Sequence, residues 1–361
     1  MHLVHTATSI FMKKSITFSL TLIIAVTLFS DLSFAQKDNR DSNSPYGVLE
    51  FLIWNHEWNY YHYDTQEKLL LAADLMKEAG IGFVRIDFLW ADIEPVEGEF
   101  DFKKYDVVVD ILVSRGISVL GLLHYNPLWR GGSWNSAPNQ SLYVKYAQAT
   151  VAHFKKRVKY WEIWNEPDES QYWIPQDNLT SYSKLLKRVY PVIKSIDPTS
   201  KILMGGVSSD IADSLENIYN NGCKDYFDIV NIHPFTNPLC EDPIADVSKI
   251  YKDVVSVMQK YDDENKKIWI TEIGAPGVKN PNKRNGWWCG DSPTEKEQAT
   301  WLNQVYTNCL SWPKVDKVFW AFFRDTDGHF KSGIDKFGLV RLDFSKKPSY
   351  DAYKKVTNSK Q

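Results

Sequence analysis

Trp161-Glu162-Ile163-Trp164-Asn165-Glu166-Pro167 is an apolar run of strand length that ends in an Asn-Glu pair. The proline that follows has no N–H to give to a sheet ladder, so it releases the chain there. A second run, Ile268-Trp269-Ile270-Thr271-Glu272-Ile273-Gly274, also carries a glutamate at its end. Two carboxyl groups therefore stand where two strands give way to loops.

Working outward from these runs, apolar segments of strand length alternate with amphipathic segments of helix length through eight cycles. The strands are read at residues 46–52, 83–89, 118–125, 160–165, 201–207, 227–234, 267–272 and 317–323. The clearest helix is residues 65–79, which gathers Leu69, Ala72, Ala73, Met76 and Ala79 on one face before Gly80 stops it. Further helices are read at 103–115, 141–156, 178–195, 212–221, 247–261, 294–311 and, more weakly, 350–356. Strands that alternate with helices need crossover connections and so form a parallel sheet, and eight repeats close such a sheet. The predicted fold is α/β, a (β/α)8 TIM barrel in a single domain. An open doubly wound sheet is the alternative, but no Gly-rich phosphate fingerprint follows the first strand.

The chain has 361 residues, more than the roughly 250 such a barrel typically needs. Its N-terminus accounts for part of the excess. Lys13-Lys14 precede the apolar run 16–29, and Ser33-Phe34-Ala35 offers small residues where a signal peptidase reads. Residues 1–35 are thus expected to be a signal peptide cleaved after Ala35, with 36–45 a short linker and 46–361 the barrel. Met12 is an alternative start, and an uncleaved anchor is the alternative fate of the apolar run. The expected location is periplasmic or extracellular, off the membrane once the signal is removed.

The formal charge is only −3 and the basic residues are scattered, which argues against nucleic acid or an anionic membrane as partner. The 14 Trp, 19 Tyr and 18 Phe are numerous for a core of this size, and flat rings stack on the apolar faces of sugars. Most rings must still be core. The four cysteines allow three pairings, of which Cys240 with Cys289 would join two loops on one face; Cys223 and Cys309 read as buried thiols. No Cys or His cluster has metal-ligand spacing, and neither a metal nor any other cofactor is expected.

In a barrel of this kind functional groups gather at the C-terminal ends of the strands. Those ends carry Trp54, Asn55 and His56, then Arg85, Asp87 and Trp90, then His124, Asn165, Glu166, His233, Glu272, Trp320 and Asp325. The opposite ends are short and contain Lys and Gly. Loops 56–64, 125–140, 171–176 and 278–292 are longer and aromatic, and are predicted to wall a cleft, with Trp129, Trp134, Trp173, Trp287 and Trp288 available for stacking. Paired carboxyls are the minimum equipment for cleaving a glycosidic bond: one protonates the departing oxygen while the other supports or attacks the sugar cation.

At 161–168 and 268–276 the chain resembles the retaining glycoside hydrolases of the large clan built on an eightfold barrel, and is most similar to glycoside hydrolase family 39 and its bacterial relatives. The resemblance covers about residues 46–353. It implies Glu166 as general acid/base, Glu272 as nucleophile, and Asn165 as donor to the sugar 2-hydroxyl. Arg85 is the nearest cation for Glu272, although a buried pair with Glu162 is its ordinary structural role; the two can coexist. His124 and His233 resemble the clan's histidines on strands three and six, and Trp320 resembles the ring beneath the sugar. Asp87, Trp129 and Trp173 complete the expected substrate-binding set. One departure stands out: many clan members place a tyrosine two residues after the strand-six histidine, and here that residue is Phe235.

The function expected is an exported retaining β-glycosidase that attacks an oligo- or polysaccharide by double displacement, within the chain of sugars. Alternatives are family 5-like cellulase or mannanase chemistry on the same residues, or a catalytically silent barrel that binds polysaccharide through its tryptophans. Neither the sugar nor the oligomeric state has a signature in the sequence.

Overall fold

The computed structural model describes residues 43–60, 62–279, 292–330 and 333–359. Eight parallel strands pair in chain order: β1 (Tyr46–Leu49), β2 (Phe83–Leu89), β3 (Ser118–His124), β4 (Tyr160–Ile163), β5 (Lys201–Met204), β6 (Ile229–Ile232), β7 (Lys267–Ile273) and β8 (Val315–Ala321). The sheet closes where β8 pairs with β1, Trp320 opposite Val48 and Ala321 opposite Leu49. This is the (β/α)8 barrel read from the sequence. Every strand begins and ends within three residues of its predicted segment.

Between and beyond the strands run α1 (Gln66–Glu78), α2 (Trp90–Ile93), α3 (Lys103–Val113), α4 (Gln140–Phe154), α5 (Thr180–Ile196), α6 (Ile211–Asn220), α7 (Pro243–Lys260), α8 (Glu295–Cys309) and α9 (Pro348–Asn358). Local chemistry sets their ends. The Thr65 hydroxyl accepts from Lys68 N at the start of α1, and Gly80 follows with φ +77, where a Cβ would press on Thr357 at 2.6 Å. Thr294 and Glu297 bond each other's backbone N–H and start α8, satisfying two donors that the first turn leaves open. Among the described α-helices, only the single-turn α2 has no counterpart in the sequence reading.

Alternation along the strands divides the barrel interior into two layers. Phe83, Leu120, Leu203, Ile229, Trp269 and Phe319 make an apolar floor, with Tyr160 packed against it. The Lys317 ammonium lies 4.5 Å from the Phe83 ring centre and donates to Ser44 O at 2.9 Å, so a cation seals the bottom. Two residues further along β2, β4, β6 and β7 the interior turns polar, with Arg85, Glu162, Asn231 and Thr271, all buried. A dry floor beneath buried polar groups lowers the local dielectric, which strengthens every charge interaction above it.

The same alternation corrects the expectation for Trp320. Its neighbour Phe319 belongs to the interior floor, so Trp320 points outward to the helices, where it is fully buried and donates its indole N–H to Phe337 O at 3.0 Å. It cannot lie beneath a sugar. The expected signal peptide, most of the linker, Cys289, Trp287 and Trp288 lie outside the described residues. Cys240 carries a free, exposed thiol, while Cys223 and Cys309 are buried. Among the described residues, no helix is long and apolar enough to cross a membrane.

Candidate active site

Strict alternation along β4 would send Trp164 into the barrel after Tyr160 and Glu162. The backbone prevents this by taking left-handed conformations at Trp164 (φ 67) and Glu166 (φ 42). Such conformations cost non-glycine residues of order 1–3 kcal/mol and persist where the surroundings enforce them. Trp164 packs outside against Trp173, ring centres 5.0 Å apart, and donates its indole N–H to Tyr172 O at 2.8 Å. Asn165 and Glu166 are thereby turned inward. On β7 the pairing with β8 shifts register between Ile270 and Ile273, so that Thr271 and Glu272, neighbours in sequence, both reach the interior.

The Arg85 guanidinium joins these strand ends. Its Nε and Nη2 form a fork on Glu162, at 2.6 and 2.9 Å, while Nη2 also donates to Asn165 Oδ1 at 2.7 Å and Nη1 to Glu272 Oε1 at 2.6 Å. The structural pair with Glu162 and the site contact with Glu272 therefore coexist. Because Asn165 Oδ1 is held by a cation, its Nδ2 is the end left to donate to a ligand. Arg85 also does for Glu272 what a hydroxyl would do from position 235, where Phe235 instead packs towards Phe337 at 6.3 Å.

His233 meets Glu166 from β6, its Nδ1 2.8 Å from Glu166 Oε1 and 3.9 Å from Glu272 Oε1. Atoms of Glu166, His233 and Glu272 all lie within 4.8 Å of one another. Gly206 makes this approach possible, since a Cβ there would stand 2.1 Å from His233 Nε2. Three such groups could in principle hold a cation, but the Arg85 guanidinium already sits on Glu272 Oε1, so a second positive charge would meet it there.

Burial raises Glu166 most; Arg85 pulls it down, Glu169 and Glu162 push it up, and the outcome is a carboxyl lifted from 4.5 to about 8. At neutral pH it keeps its proton. Glu272 is also raised by burial and by Glu166 and Glu162, against the pull of His233 and Arg85. Of the two, Glu272 has the guanidinium bond, so the shared negative charge rests there. Burial holds His233 below its ordinary value, which favours a neutral ring. Asp168 is lifted to about 7 by burial although Ser209 and Ser208 N–H groups bond it, at 2.7 and 2.8 Å, and tie the β4 and β5 loops together.

Asp87 and His124 lie beside this centre, 3.1 Å apart, and Asp87 also accepts from the Trp54 indole at 3.2 Å. Burial would raise Asp87, but His124, Arg85 and Trp54 outweigh it and its carboxyl is lowered. His124 is buried with Nε2 against Asp87, and its Nδ1 completes no hydrogen bond within the protein, which leaves that nitrogen for a ligand. Trp173 departs from expectation: it is buried between Trp164 and Tyr182 with its N–H on Ser181, a support for the rim instead of a surface. Trp129 is half-buried against Trp90 and donates to Glu94 O at 2.6 Å. Among the described residues, the exposed tryptophans are Trp58, 55 % exposed after β1, and Trp134, 42 % exposed after β3. Asp325 is drawn inward by Lys347 at 2.7 Å.

Sequence reading passed over Asn231, Thr271 and Gly206. Period two already put Asn231 on the face of His233, whereas Thr271 reads as an ordinary strand former and Gly206 as a loop residue.

A closed barrel with two glutamates facing each other at the ends of β4 and β7 defines a glycoside hydrolase barrel. The family profile described as Cellulase (glycosyl hydrolase family 5) matches residues 53–318, and the chain belongs to that family. Among curated relatives it is 22 % identical over 290 residues to endo-1,4-beta-xylanase B of Thermotoga neapolitana, covering 75 % of this chain and 78 % of the relative. It is 33 % identical over 172 residues to beta-galactosidase BgaA of Clostridium cellulovorans, which covers 38 % of this chain and only 25 % of that protein. A family 39 glycoside hydrolase from Bacteroides cellulosilyticus WH2 shares the fold, with a TM-score of 0.70 at 23 % identity over 87 % of this chain and 63 % of that one. A GH5_18 protein from Bifidobacterium longum subsp. infantis superposes with a TM-score of 0.67 at 13 % identity, covering 87 % and 78 %.

Two outcomes are expected. Arg85→Leu should destabilise the protein by about 3–5 kcal/mol in urea unfolding, because it leaves buried Glu162 and partly buried Glu272 without their cation, and the loss should shrink when Glu162→Leu is added. Glu166 binds its proton more tightly folded than unfolded, so its contribution to stability is intact below its ordinary 4.5 and is lost as pH rises to about 8. The melting temperature of Glu166→Gln should accordingly climb relative to the wild type across that window, whereas a pH-independent difference would mean that Glu166 ionises normally.

Proposed function

We propose that the chain is an exported retaining β-glycosidase that cleaves within an oligo- or polysaccharide. The observation that carries this reading is the closeness of Glu166 and Glu272, whose facing atoms lie within 4.8 Å. A retaining enzyme needs its carboxyls roughly 5–5.5 Å apart so that one can bond to carbon, whereas an inverting enzyme leaves about 6.5–9.5 Å for a water. In the first step Glu272 attacks the anomeric carbon as the Glu166 proton passes to the departing oxygen. In the second, water attacks the glycosyl-Glu272 ester and yields its proton to Glu166, which restores both groups. Asn165 Nδ2 and His124 are placed to bind sugar hydroxyls in the same cleft.

The environments suit these roles. Glu166 is protonated at neutral pH by its burial, as an acid must be, and Arg85 draws the negative charge to Glu272. A silent sugar-binding barrel would have no use for this arrangement. Relatives named as xylanase, galactosidase and glucosidase support β-linked pyranosides as the substrate class. The matched family's own description, Cellulase, supports the second reading, cellulase or mannanase chemistry on the same residues. Trp58 and Trp134, exposed at separate points of the rim, support binding of several sugars at once and so attack within a chain.

The decisive experiment is digestion of β-linked gluco-, xylo-, manno- and galacto-oligosaccharides followed by NMR of the nascent products. A β-anomer is expected, and an initial α-anomer would remove Glu272 from its role as nucleophile. On the responsive substrate, Trp58→Ala and Trp134→Ala should each weaken polymer binding by about 0.5–1.5 kcal/mol with little change on a short aryl glycoside. For export, N-terminal sequencing of protein secreted by a bacterial host should begin at Gln36; material retaining residues 1–35 would favour an anchor.

A further inference from the structure

A buried hydrogen-bond chain leads away from Glu166 into the barrel, and each link has only one workable direction. Asn231, fully buried on β6, donates Nδ2 to Met204 O at 3.3 Å. A backbone carbonyl cannot donate, so this contact orients the amide and leaves Oδ1 as an acceptor. Oδ1 lies 2.7 Å from the Thr271 hydroxyl, which must give its single proton there. Towards His233 Nε2, 2.8 Å away, Thr271 Oγ1 can then only accept. His233 Nε2 therefore carries a hydrogen. In a neutral ring the other nitrogen, Nδ1, is then a bare lone pair, and it faces Glu166 Oε1 at 2.8 Å. Only a protonated carboxyl satisfies that contact.

We propose that Thr271 and Asn231 are positioning residues that lock the His233 proton on Nε2, so that bare Nδ1 holds the Glu166 proton at the reacting end of the cleft. The inference rests on Glu166 being the acid of the proposed reaction. When Glu166 gives its proton to the departing oxygen, His233 has none on Nδ1 to replace it. The new carboxylate faces a lone pair and is a stronger base, and the proton it takes next comes from the attacking water. One histidine thus favours the acid in the first step and the base in the second.

Other charged groups near this pair do not supply the same function. Arg85 from β2 and Glu162 from β4 bond each other, and Glu272 from β7 is 3.9 Å from Nδ1. Asp168 and Glu169, from the loop after β4, act on His233 and Glu166 respectively through space. Tyr125 and Tyr172 stand above with phenols pushed up by burial, so they remain neutral.

The test uses protein labelled with 15N in histidine. Spectra of the wild type should show His233 protonated on Nε2 and bare on Nδ1 at neutral pH; a proton on Nδ1 would overturn the proposal without reference to any substrate. In Thr271→Val the acceptor for Nε2 is gone, so the ring should move its proton to Nδ1 and stabilise ionised Glu166. The alkaline limb of kcat/KM on an aryl β-glycoside the wild type hydrolyses should then shift down by about one pH unit. Thr271→Ser should restore both tautomer and limb. A folded Thr271→Val protein with unmoved tautomer and limb would show that the threonine only packs. Loss of activity with an unmoved pH profile counts likewise. Should neither an aryl glycoside nor any β-linked oligosaccharide be hydrolysed, the functional reading fails while the tautomer measurement still decides this inference.

Discussion

One guanidinium organises the upper half of the barrel. Arg85 reaches Glu162, Asn165 and Glu272 from a fully buried position, so a single cation spans β2, β4 and β7. Burial alone would weaken its charge, yet Glu162 and Glu272 more than compensate and its pKa is raised. The dependence is mutual, because two carboxylates above an apolar floor would be intolerable without a fixed counter-charge. Arginine suits the position better than lysine would: its planar fork engages Glu162 with two nitrogens and still has donors for Asn165 and for Glu272 on β7.

From that node the two site glutamates acquire different characters although they are the same residue type. Glu272 receives a charge-assisted bond and carries the negative charge, while Glu166 has no bond to a cation, meets a neutral imidazole and the Ser208 hydroxyl, and stays protonated up to about pH 8. Separating two carboxyls by environment is how a site at neutral pH can hold an acid and a nucleophile together. The left-handed turns at Trp164 and Glu166 contribute geometrically, by breaking the strand period so that Asn165 and Glu166 both face inward.

The aromatic richness of the chain divides unequally. Trp90, Trp161, Trp164, Trp173, Trp269, Trp301 and Trp320 are fully buried, and the interior floor and the barrel–helix contacts account for them. Large rings fill the taper between a closed sheet and its helices with few rotamers to fix, which makes them useful there whatever the protein binds. Trp58 and Trp134 remain on the surface, on loops after β1 and β3.

The barrel, its strand positions and the placing of Glu166 and Glu272 at strand ends were legible in the chain, because they follow from local hydrophobic periodicity and from which residue interrupts it. Arg85 could be named for the same reason, being on the inward face of β2. Trp320 was misread since a tryptophan near the end of a strand looks the same from either side of a sheet, and only the register against β1, with Phe319 inside, sends it to the helices. Asn231, Thr271 and Gly206 were silent because their contribution is a relation: a carbonyl that orients an amide, a hydroxyl with one proton to give, a missing Cβ that lets a ring approach. The sequence by itself determined the eightfold repeat and the two acids, as those are encoded in neighbouring residues. Which acid keeps its proton was decided by tertiary structure alone, for a pKa is set by burial and by charges that reach the site from other strands.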